Sequence, residues 1–393
     1  MSRKPTSLIA AIVVALAGVA AACSSSSSKT SASASGAAPS AAQDSLVGVC
    51  PNPIIAQTDW NPESDHMAYY EIAAPNGTVD TNKKTYTAEL IAHGGVDTGV
   101  KIQIRSGGPA TGDQLNSALL YEDQSILLGF VETDEAIENS QTQPTVAIIA
   151  DRQEAPTIIM WSPAAHPNDK TIADLGRDNV KILYFSGAPY IDYLTGAGIL
   201  HASQTDGSYN GTPARFVASG GTVAQQGFAT AEPYEYEHEI TQWLKPVTYQ
   251  LVSATGYDPY PSIVTRPENI TKYAACFKKL VPIIQQGVVD YAANPTAANA
   301  LIVKLVTQYN NGWVYDAGEA AFAAQSMVQN QIIANGTDGT LGSFDDGRIN
   351  KLISILGPIY AKDGKTIKPG LTAQDIATNQ FLDPSIHLPA SAG

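Results

Sequence analysis

The sequence has few residues of the kinds that catalytic and metal sites need. Its six histidines are scattered along the chain, and they lack the spacing of metal ligands. It has no G-x-S-x-G nucleophile motif, no G-x-x-x-x-G-K-[ST] phosphate loop, no H-E-x-x-H zinc motif and no D-x-[DN]-x-[DN]-G calcium loop. We therefore predict a protein that is not an enzyme, without catalytic residues, metal or cofactor. A glycosidase carboxylate pair leaves no local signature, so that class stays open.

Positive charge is also scarce. The chain has 23 lysines and arginines against 37 aspartates and glutamates, which gives a formal net charge of −14. Such an acidic body argues against a nucleic-acid partner and against a polybasic membrane patch. Long apolar runs are missing after the first 22 residues, so nothing later in the sequence predicts a transmembrane helix.

The first residues predict export. Arg3 and Lys4 precede an apolar run from Leu8 to Ala22, which is the pattern of a signal peptide over residues 1–22. Cys23 follows three alanines, as in a bacterial lipobox, and we expect it to carry lipid. Ordinary cleavage beside an incidental cysteine is the alternative. Residues 23–46 are rich in Ser, Ala and Gly and predict a flexible tether. We therefore expect a protein anchored by lipid on the outer face of the cell membrane.

Cysteine is rare, and two remain after Cys23: Cys50 and Cys276. An isolated pair outside the cytoplasm usually oxidises, so we predict a disulfide between them. It would place the start of the first strand and a helix of the last third in the same lobe.

The order of elements predicts an α/β protein of two lobes. Apolar runs such as Pro144–Ala150 alternate with helices over the first two thirds, which indicates a mainly parallel sheet, and the last third is helical. We expect lobe I to contain residues 47–161 and 245–393, and lobe II residues 162–244. Strands near residues 146–161 and 245–252 would be the two hinges. Within lobe II, residues 222–227 predict a short helix and residues 228–231 a short strand.

One candidate pocket lies after the first strand. Asp59 and Trp60 follow that strand, and His66 and Tyr69 begin a pattern at i, i+3, i+4 and i+7 that defines one helical face. A strand end, an indole and a His/Tyr face together suit a site for a flat or polar small molecule. The alternative is that these aromatic residues are ordinary core.

Loop ends of lobe II supply the other candidate ligand-binding residues: Ser186, Gly187, Tyr190, Tyr209, Glu232, Tyr234 and Tyr236. We interpret the carboxylates around Glu232 as a solvated or cleft-lining face and not as an acid–base pair. The nearest basic residues are Arg105, Arg215 and Lys181, which are few for an oxyanion site. This composition favours a neutral or cationic heterocycle as ligand.

These segments resemble a known family. The lipobox cysteine, Thr58–Pro62 with His66 downstream, Thr133–Glu135, Ser208–Gly211 and Gln226–Tyr234 are similar to the solute-binding lipoproteins of ABC importers. The branch is the one that contains nitrate, sulfonate, taurine and thiamine-pyrimidine-precursor binders. The resemblance implies a type II periplasmic-binding-protein fold, a monomer, and a ligand captured at the hinge and delivered to a membrane permease. It also implies that Trp60 stacks on the ligand and that Glu232 and Tyr234 add polar contacts.

The leading hypothesis is therefore a receptor for a pyrimidine-like or thiamine-precursor-like heterocycle. A binder of nitrate, taurine or an alkanesulfonate is the alternative within the family. A pyrimidine-forming or hydrolytic secreted enzyme is the alternative from another class, although the cysteine-rich cluster of the eukaryotic pyrimidine-synthesising relatives is absent. A structural or adhesive surface lipoprotein is the third hypothesis.

Overall fold

Two β-sheets organise the chain in its computed structural model, which describes residues 44–389. The predicted signal peptide, Cys23 and the tether up to residue 43 lie outside the described residues. Between residues 44 and 389 the strands are β1 (Ile54–Gln57), β2 (Thr78–Asp80), β3 (Thr85–Ala92), β4 (Val96–Arg105), β5 (Leu128–Phe130), β6 (Val146–Ile149), β7 (Thr157–Trp161), β8 (Ile182–Leu183), β9 (Thr205–Asp206), β10 (Ala224–Phe228), β11 (Thr248–Leu251) and β12 (Ile263–Thr265).

The α-helices of the same residues are α1 (Met67–Glu71), α2 (Asn116–Glu122), α3 (Thr133–Glu138), α4 (Ile172–Arg177), α5 (Pro189–Gly196), α6 (Ala214–Ala218), α7 (Glu232–His238), α8 (Pro267–Lys272), α9 (Ala274–Ala293), α10 (Thr296–Tyr309), α11 (Ala317–Gln329), α12 (Asp346–Lys362) and α13 (Ala373–Ile376). The predicted helical last third is thus confirmed.

The first sheet has the strand order β2-β3-β4-β1-β5-β12-β6. β1 pairs in parallel with β4 and β5, whereas β12 runs antiparallel to both β5 and β6. The sheet is mixed and not mainly parallel, because β2, β3 and β4 form an antiparallel meander that the sequence analysis did not foresee. The C-terminal end of β1 comes directly before the Asp59–Trp60 segment. Because β1 is the central strand, the centre of this sheet positions the candidate pocket.

Burial of alternate residues explains why β4 forms. Val100, Ile102 and Ile104 are buried, while the intervening residues point to a more exposed face. The apolar stripe of α9 covers the opposite, buried side of the sheet through contacts with β3, β6 and α1. The predicted disulfide is present: Cys50, which precedes β1, is bonded to Cys276 of α9 across a separation of 226 residues.

The second sheet has the order β11-β7-β10-β8-β9. This sheet extends beyond the expected insert 162–244, because it also contains β7 and β11, which pair with each other in antiparallel fashion. The chain leaves the first sheet after Ile149 and returns to it at Ile263. The segments that cross between the sheets are therefore residues 150–156 and 252–262, and no strand runs through both sheets at either crossing.

Arg348 of α12 joins these two crossing segments. Its guanidinium donates to the carbonyl oxygen of Gln153 at 2.7 Å and to that of Pro259 at 3.0 Å, and it pairs with Asp258 at 2.6 Å. The same group lies 3.6 Å from the centre of the Tyr260 ring. Five donors in a planar fork allow one arginine to hold several backbone acceptors at once.

The prediction of a helix over residues 222–227 and a strand over 228–231 is wrong. The structure has a strand, β10, at Ala224–Phe228 and a helix, α7, that begins at Glu232. Polar Gln225 and Gln226 hid the strand, because both are buried between β7 and β8, where each side chain makes a hydrogen bond. Glu232 consequently lies in the first turn of a helix.

The packed body includes the end of the predicted tether. Leu46 is fully buried, and its backbone N–H donates to the carbonyl oxygen of Thr98 at 2.9 Å. Within residues 44–389, no helix combines the length and the hydrophobicity that crossing a bilayer requires.

Candidate ligand-binding site

The segment after β1 is held by backbone hydrogen bonds. The hydroxyl of Thr58 donates to the carbonyl oxygen of Trp60 at 2.7 Å, and the N–H of Gly107 donates to the same oxygen at 3.0 Å. The indole of Trp60 lies over Gly108, which has φ +55° and where a Cβ atom would come within 2.5 Å of the ring. Trp313 packs edge-on at 6.0 Å. Trp60 is still 37% exposed, so it is supported by its neighbours without being core.

His66 and Asp59 meet directly. The Nε2 atom of His66 lies 2.5 Å from Oδ1 of Asp59, and the imidazole packs edge-on against Phe130 at 5.2 Å. His66 is buried, whereas the side chain of Asp59 is 46% exposed. The buried imidazole of His66 thus orients the carboxylate of Asp59, which solvent can reach. The helical face predicted from the sequence points into the core. Its side chains are buried from solvent at His66, Tyr69, Tyr70 and Ala73.

Arg152, on the first crossing segment, lies at the centre of a group of carboxylates. It is 3% exposed, it pairs with Asp65 at 2.6 Å, and its guanidinium is 4.8 Å from the centre of the Phe130 ring. Burial lowers the pKa of Arg152, but surrounding carboxylates raise it above its usual value; they are Asp65, Asp151, Glu132 and Asp59. One buried cation is thus shared by carboxylates of the segments that follow β1 and β5 and of the first crossing segment.

Three further carboxyl groups of this cluster are destabilised in their charged form. Burial raises the pKa of Asp151 to about 7, while Arg152 and His66 act in the opposite direction. Burial also raises the pKa of Glu63 and of Glu132 well above its ordinary value. Asp151 is 1% exposed, and neither of its carboxylate oxygens has a hydrogen-bond partner among residues 44–389. The hydroxyl of buried Tyr69 is likewise without a partner there.

Glu232 contributes a carboxylate from the second sheet's side. The backbone N–H of Phe228, at the end of β10, donates to its Oε2 atom at 2.6 Å. Burial raises the pKa of Glu232 to about 8, Glu235 adds to the rise, and Asp65 adds a smaller part. Burial and Glu232 also raise the pKa of Tyr209. The charge of Asp65, which lies on the side of the first sheet, therefore reaches Glu232 and raises its pKa.

The remaining predicted residues of the second sheet have different surroundings. The hydroxyl of Tyr190 donates to Oε1 of Gln226 at 2.7 Å, and Ser186 and Gly187 are exposed on the loop before it. Tyr234 packs against Phe322 of α11 at 5.6 Å.

Tyr236 is fully buried. Its hydroxyl accepts from Nε2 of Gln225 at 2.9 Å, and its ring packs against Phe216. The structure thus brings Asp59 and His66 into contact and buries Tyr69 one helical turn further on, but it turns Tyr234 and Tyr236 toward other helices and core.

The three basic residues named from the sequence are engaged elsewhere. Arg105 pairs with Asp123 at 2.7 Å, Arg215 pairs with Asp206 at 2.8 Å, and Lys181 donates to a backbone carbonyl oxygen. Sequence reasoning missed Arg152, Asp151 and Glu132, and the signal available for them was their position directly after buried strands β6 and β5. Among the described residues, no group of three or more His, Cys, Asp or Glu side chains is placed to hold a metal ion.

Comparisons with known proteins show a likeness in structure. No protein-family model matches the chain, and no curated protein matches it. The zinc-bound ligand-binding component of an ABC-type import system from Staphylococcus aureus is 10% identical, with a TM-score of 0.52 over 84% of this chain and 98% of that one.

Two other solved structures show weaker likeness. The alkanesulfonate-binding protein SsuA from Xanthomonas axonopodis pv. citri is 11% identical, with a TM-score of 0.48 over 84% of this chain and 99% of that one. The nitrate-binding protein NrtA from Synechocystis PCC 6803 is 11% identical, with a TM-score of 0.44 over 84% and 86%. Of the three, the Staphylococcus protein exceeds a TM-score of 0.5, and the fold assignment rests on it. The chain has the α/β fold of that ligand-binding component, with two sheets and helices, in agreement with the fold that the resemblance implied.

Proposed function

We propose that this protein is the extracytoplasmic solute-binding component of an ABC importer, which captures a small organic molecule between two lobes and delivers it to a membrane permease. The observation that carries the proposal lies on the first segment that crosses between the sheets: Arg152 pairs with Asp65 at 2.6 Å, and buried Asp151 has no hydrogen-bond partner among residues 44–389. The space between the sheets is where such a molecule would be enclosed. A fold shared with a ligand-binding component of an import system supports it.

The lobes we propose follow the sheets. The first contains residues 44–149 and 263–389, and the second contains residues 157–251. The crossing segments 150–156 and 252–262 would then be the hinge, clamped by Arg348. Asp151 and Arg152 lie on the first of these segments, so a ligand that contacts them would couple directly to the hinge.

Anchoring follows from the first residues of the sequence. A signal peptide over residues 1–22 and lipid on Cys23 would hold the protein, as a monomer, on the outer face of the cell membrane. The tether that follows would let the receptor reach its permease.

For the ligand, we favour a heterocycle that carries amino or other donor groups, such as a pyrimidine. Asp59, Glu132 and Glu232 offer acceptors, and Trp60 offers an exposed aromatic surface for stacking. Nitrate, taurine or an alkanesulfonate is the alternative ligand class. It is disfavoured because Arg152, the cation of the carboxylate cluster, is already paired with Asp65.

An enzyme is the alternative from another class, and the contact between His66 and Asp59 is the observation that favours it. A histidine oriented by a carboxylate can act as a general base, but it needs a nucleophile or substrate proton within hydrogen-bond reach. The nearby hydroxyl of Ser64 donates instead to Asn299 at 3.0 Å. We therefore propose that His66 positions Asp59 for recognition.

The test is a thermal-shift screen of the purified protein against pyrimidines, flavins, taurine, alkanesulfonates and nitrate, with chromatography of each mixture afterwards. We expect at least one compound to raise the melting temperature and to be recovered unchanged. Consumption of the compound would favour the enzyme, and no stabilisation by any compound would favour a structural or adhesive lipoprotein.

Trp60→Ala tests the stacking role. We expect it to weaken binding of the stabilising compound about tenfold or more, because an aromatic platform is lost, while the unliganded melting temperature stays nearly unchanged. Leu244→Ala, which removes another exposed apolar side chain (51% exposed), is the matched control and should bind normally. A collapse of the unliganded protein in Trp60→Ala would show that Trp60 is core.

A further inference from the structure

The site holds more carboxyl groups than its described cations pair with. Asp59 is paired with His66, and Asp65 is paired with Arg152. Glu63, Glu132 and Asp151 form no ion pair among residues 44–389. All of these carboxylates act on the pKa of Arg152 or on that of each other, so they belong to one electrostatic cluster. Glu232 adds another carboxylate from the opposite lobe.

One carboxyl group of this cluster, that of Asp151, is buried without a hydrogen-bond partner among residues 44–389. Its side chain is 1% exposed and both oxygens lack a hydrogen-bond partner among the described residues, although Arg152 and His66 are close enough to act on its charge. The unpartnered hydroxyl of Tyr69 lies close enough for Asp151 to affect its pKa. A buried carboxylate and a buried hydroxyl without partners are rare in folded proteins, because each costs free energy unless a hydrogen-bonding group satisfies it.

We propose that the ligand is an organic cation, whose ammonium, amidinium or guanidinium group is held by Asp151 and the hydroxyl of Tyr69, with Asp59 and Glu132 around it. This inference rests on the proposed function and names the charge of its ligand. The N–H donors of such a group match the unpartnered acceptors. The positive charge would also stabilise the ionised form of these carboxyl groups.

An organic cation fits better than a metal ion or an anion. The described residues contain no group of three His, Cys, Asp or Glu side chains arranged to hold a metal ion. An anion would meet the carboxylates, and Nη1 of Arg152 is already engaged by Asp65 at 2.6 Å, whereas its buried Nε has no hydrogen-bond partner among residues 44–389. A like charge placed beside several buried carboxylates is strongly disfavoured.

The positive charge of the ligand would also favour closure of the two proposed lobes. Asp65, on one proposed lobe, disfavours the ionised form of Glu232 on the other. A cation between the lobes would be attracted by both carboxylates, so the closed arrangement would be favoured only when the ligand is present. Neutral and anionic molecules would not relieve this repulsion.

The experiment compares compounds that share a shape and differ in charge. One series is benzamidinium, benzamide and benzoate, and the other is 4-(aminomethyl)pyrimidine as its ammonium form, 4-(hydroxymethyl)pyrimidine and pyrimidine-4-carboxylate. Zinc and calcium chlorides, each with and without EDTA, complete the panel. Binding to the purified full-length protein is measured by thermal shift and by titration calorimetry. We expect the cation of at least one series to bind at least tenfold more tightly than its neutral partner, with no measurable binding of the anion.

Variants locate the effect. Asp151→Asn should reduce the preference for the cation over the neutral compound about tenfold, while its unliganded melting temperature stays the same or rises because a buried charge is removed. Asp363→Asn, which removes an exposed carboxylate beyond α12, should keep the full preference. If Asp151→Asn does not fold, Glu132→Gln is measured in the same way with the same expectation.

Each other outcome overturns the inference. A neutral or anionic compound that binds as tightly as its cationic partner would overturn it and leave the proposed function standing. Stabilisation by a metal ion alone, reversed by EDTA, would replace the organic cation by a metal. An unchanged cation preference in Asp151→Asn would remove Asp151 from the site. If no compound of the panel and none of the thermal-shift screen binds, the proposed function fails as well.

Discussion

Replacing Glu319 by glutamine should make the protein more stable at neutral and alkaline pH. Glu319 lies on α11, is 1% exposed, and has no hydrogen-bond partner for either carboxylate oxygen among residues 44–389. Burial raises its pKa, and Glu235 on α7 and Glu239 just after it add to the rise, so that the pKa is about 9. Glutamine has nearly the same shape but no charge, so Glu319→Gln removes the cost of ionising this residue against α7.

The size of the effect depends on pH in a defined way. The pKa of Glu319 is about 9 in the folded protein against an ordinary value of 4.5, so the folded state binds the proton more tightly. The resulting stabilisation is fully present below about pH 4.5 and is lost as the pH rises toward 9. The full shift would correspond to about 5 kcal/mol at pH 8. Because neighbouring carboxyl groups titrate with Glu319, we expect about 2–4 kcal/mol at pH 8.

Urea unfolding at pH 5, 6.5 and 8 measures this difference. The gain in free energy of unfolding of Glu319→Gln over the wild type should be close to zero at pH 5 and should grow toward pH 8. Glu237→Gln is the matched control, because it makes the same chemical change at an exposed position of α7 and should alter stability by less than about 0.5 kcal/mol. A variant that is less stable at pH 8, or a difference that does not vary with pH, would refute the reasoning.

Two further changes test the hinge and the anchor. Arg348→Ala should lower the free energy of unfolding by about 2–4 kcal/mol, because the carbonyl oxygens of Gln153 and Pro259 lose a charged donor. The control is Arg177→Ala, at a guanidinium that is 59% exposed, which should lower the free energy of unfolding by at most about 1 kcal/mol. An equal loss in both variants would contradict the role of Arg348 as a clamp. Cys23→Ala should abolish incorporation of labelled palmitate and release the protein from the membrane fraction, and labelling that persists would exclude lipid at this residue.

Local patterns predicted the parts of the fold that depend on neighbouring residues. The apolar run Pro144–Ala150 became β6, because a continuous apolar run reflects a strand that is buried on both sides. The pair Cys50 and Cys276 was predicted from the redox environment alone. β10 was taken for a helix because its polar residues are stabilised by pairing with β7, which is distant in sequence. The β2–β3 pair was missed although its two strands follow one another in the sequence.

The candidate site was harder to predict for the same physical reason. Asp59 and His66 are seven residues apart, and the sequence pattern placed them together correctly. Arg152 and Asp65 are separated by 87 residues, so only the tertiary fold makes them an ion pair. Tyr236 fits the sequence pattern of a strand-end aromatic residue, yet its ring packs inward against Phe216 because it lies on a helix, α7.

Titration calorimetry with recovery of the ligand tests the central claim most directly. The compound that gives the largest thermal shift is titrated into the full-length protein, and the mixture is then separated and the compound quantified. We predict saturable binding of one molecule per chain, with full recovery of the unchanged compound and at least tenfold weaker binding to Trp60→Ala. Conversion of the compound, or saturation that is the same in Trp60→Ala, would contradict a solute receptor with its site at the end of β1.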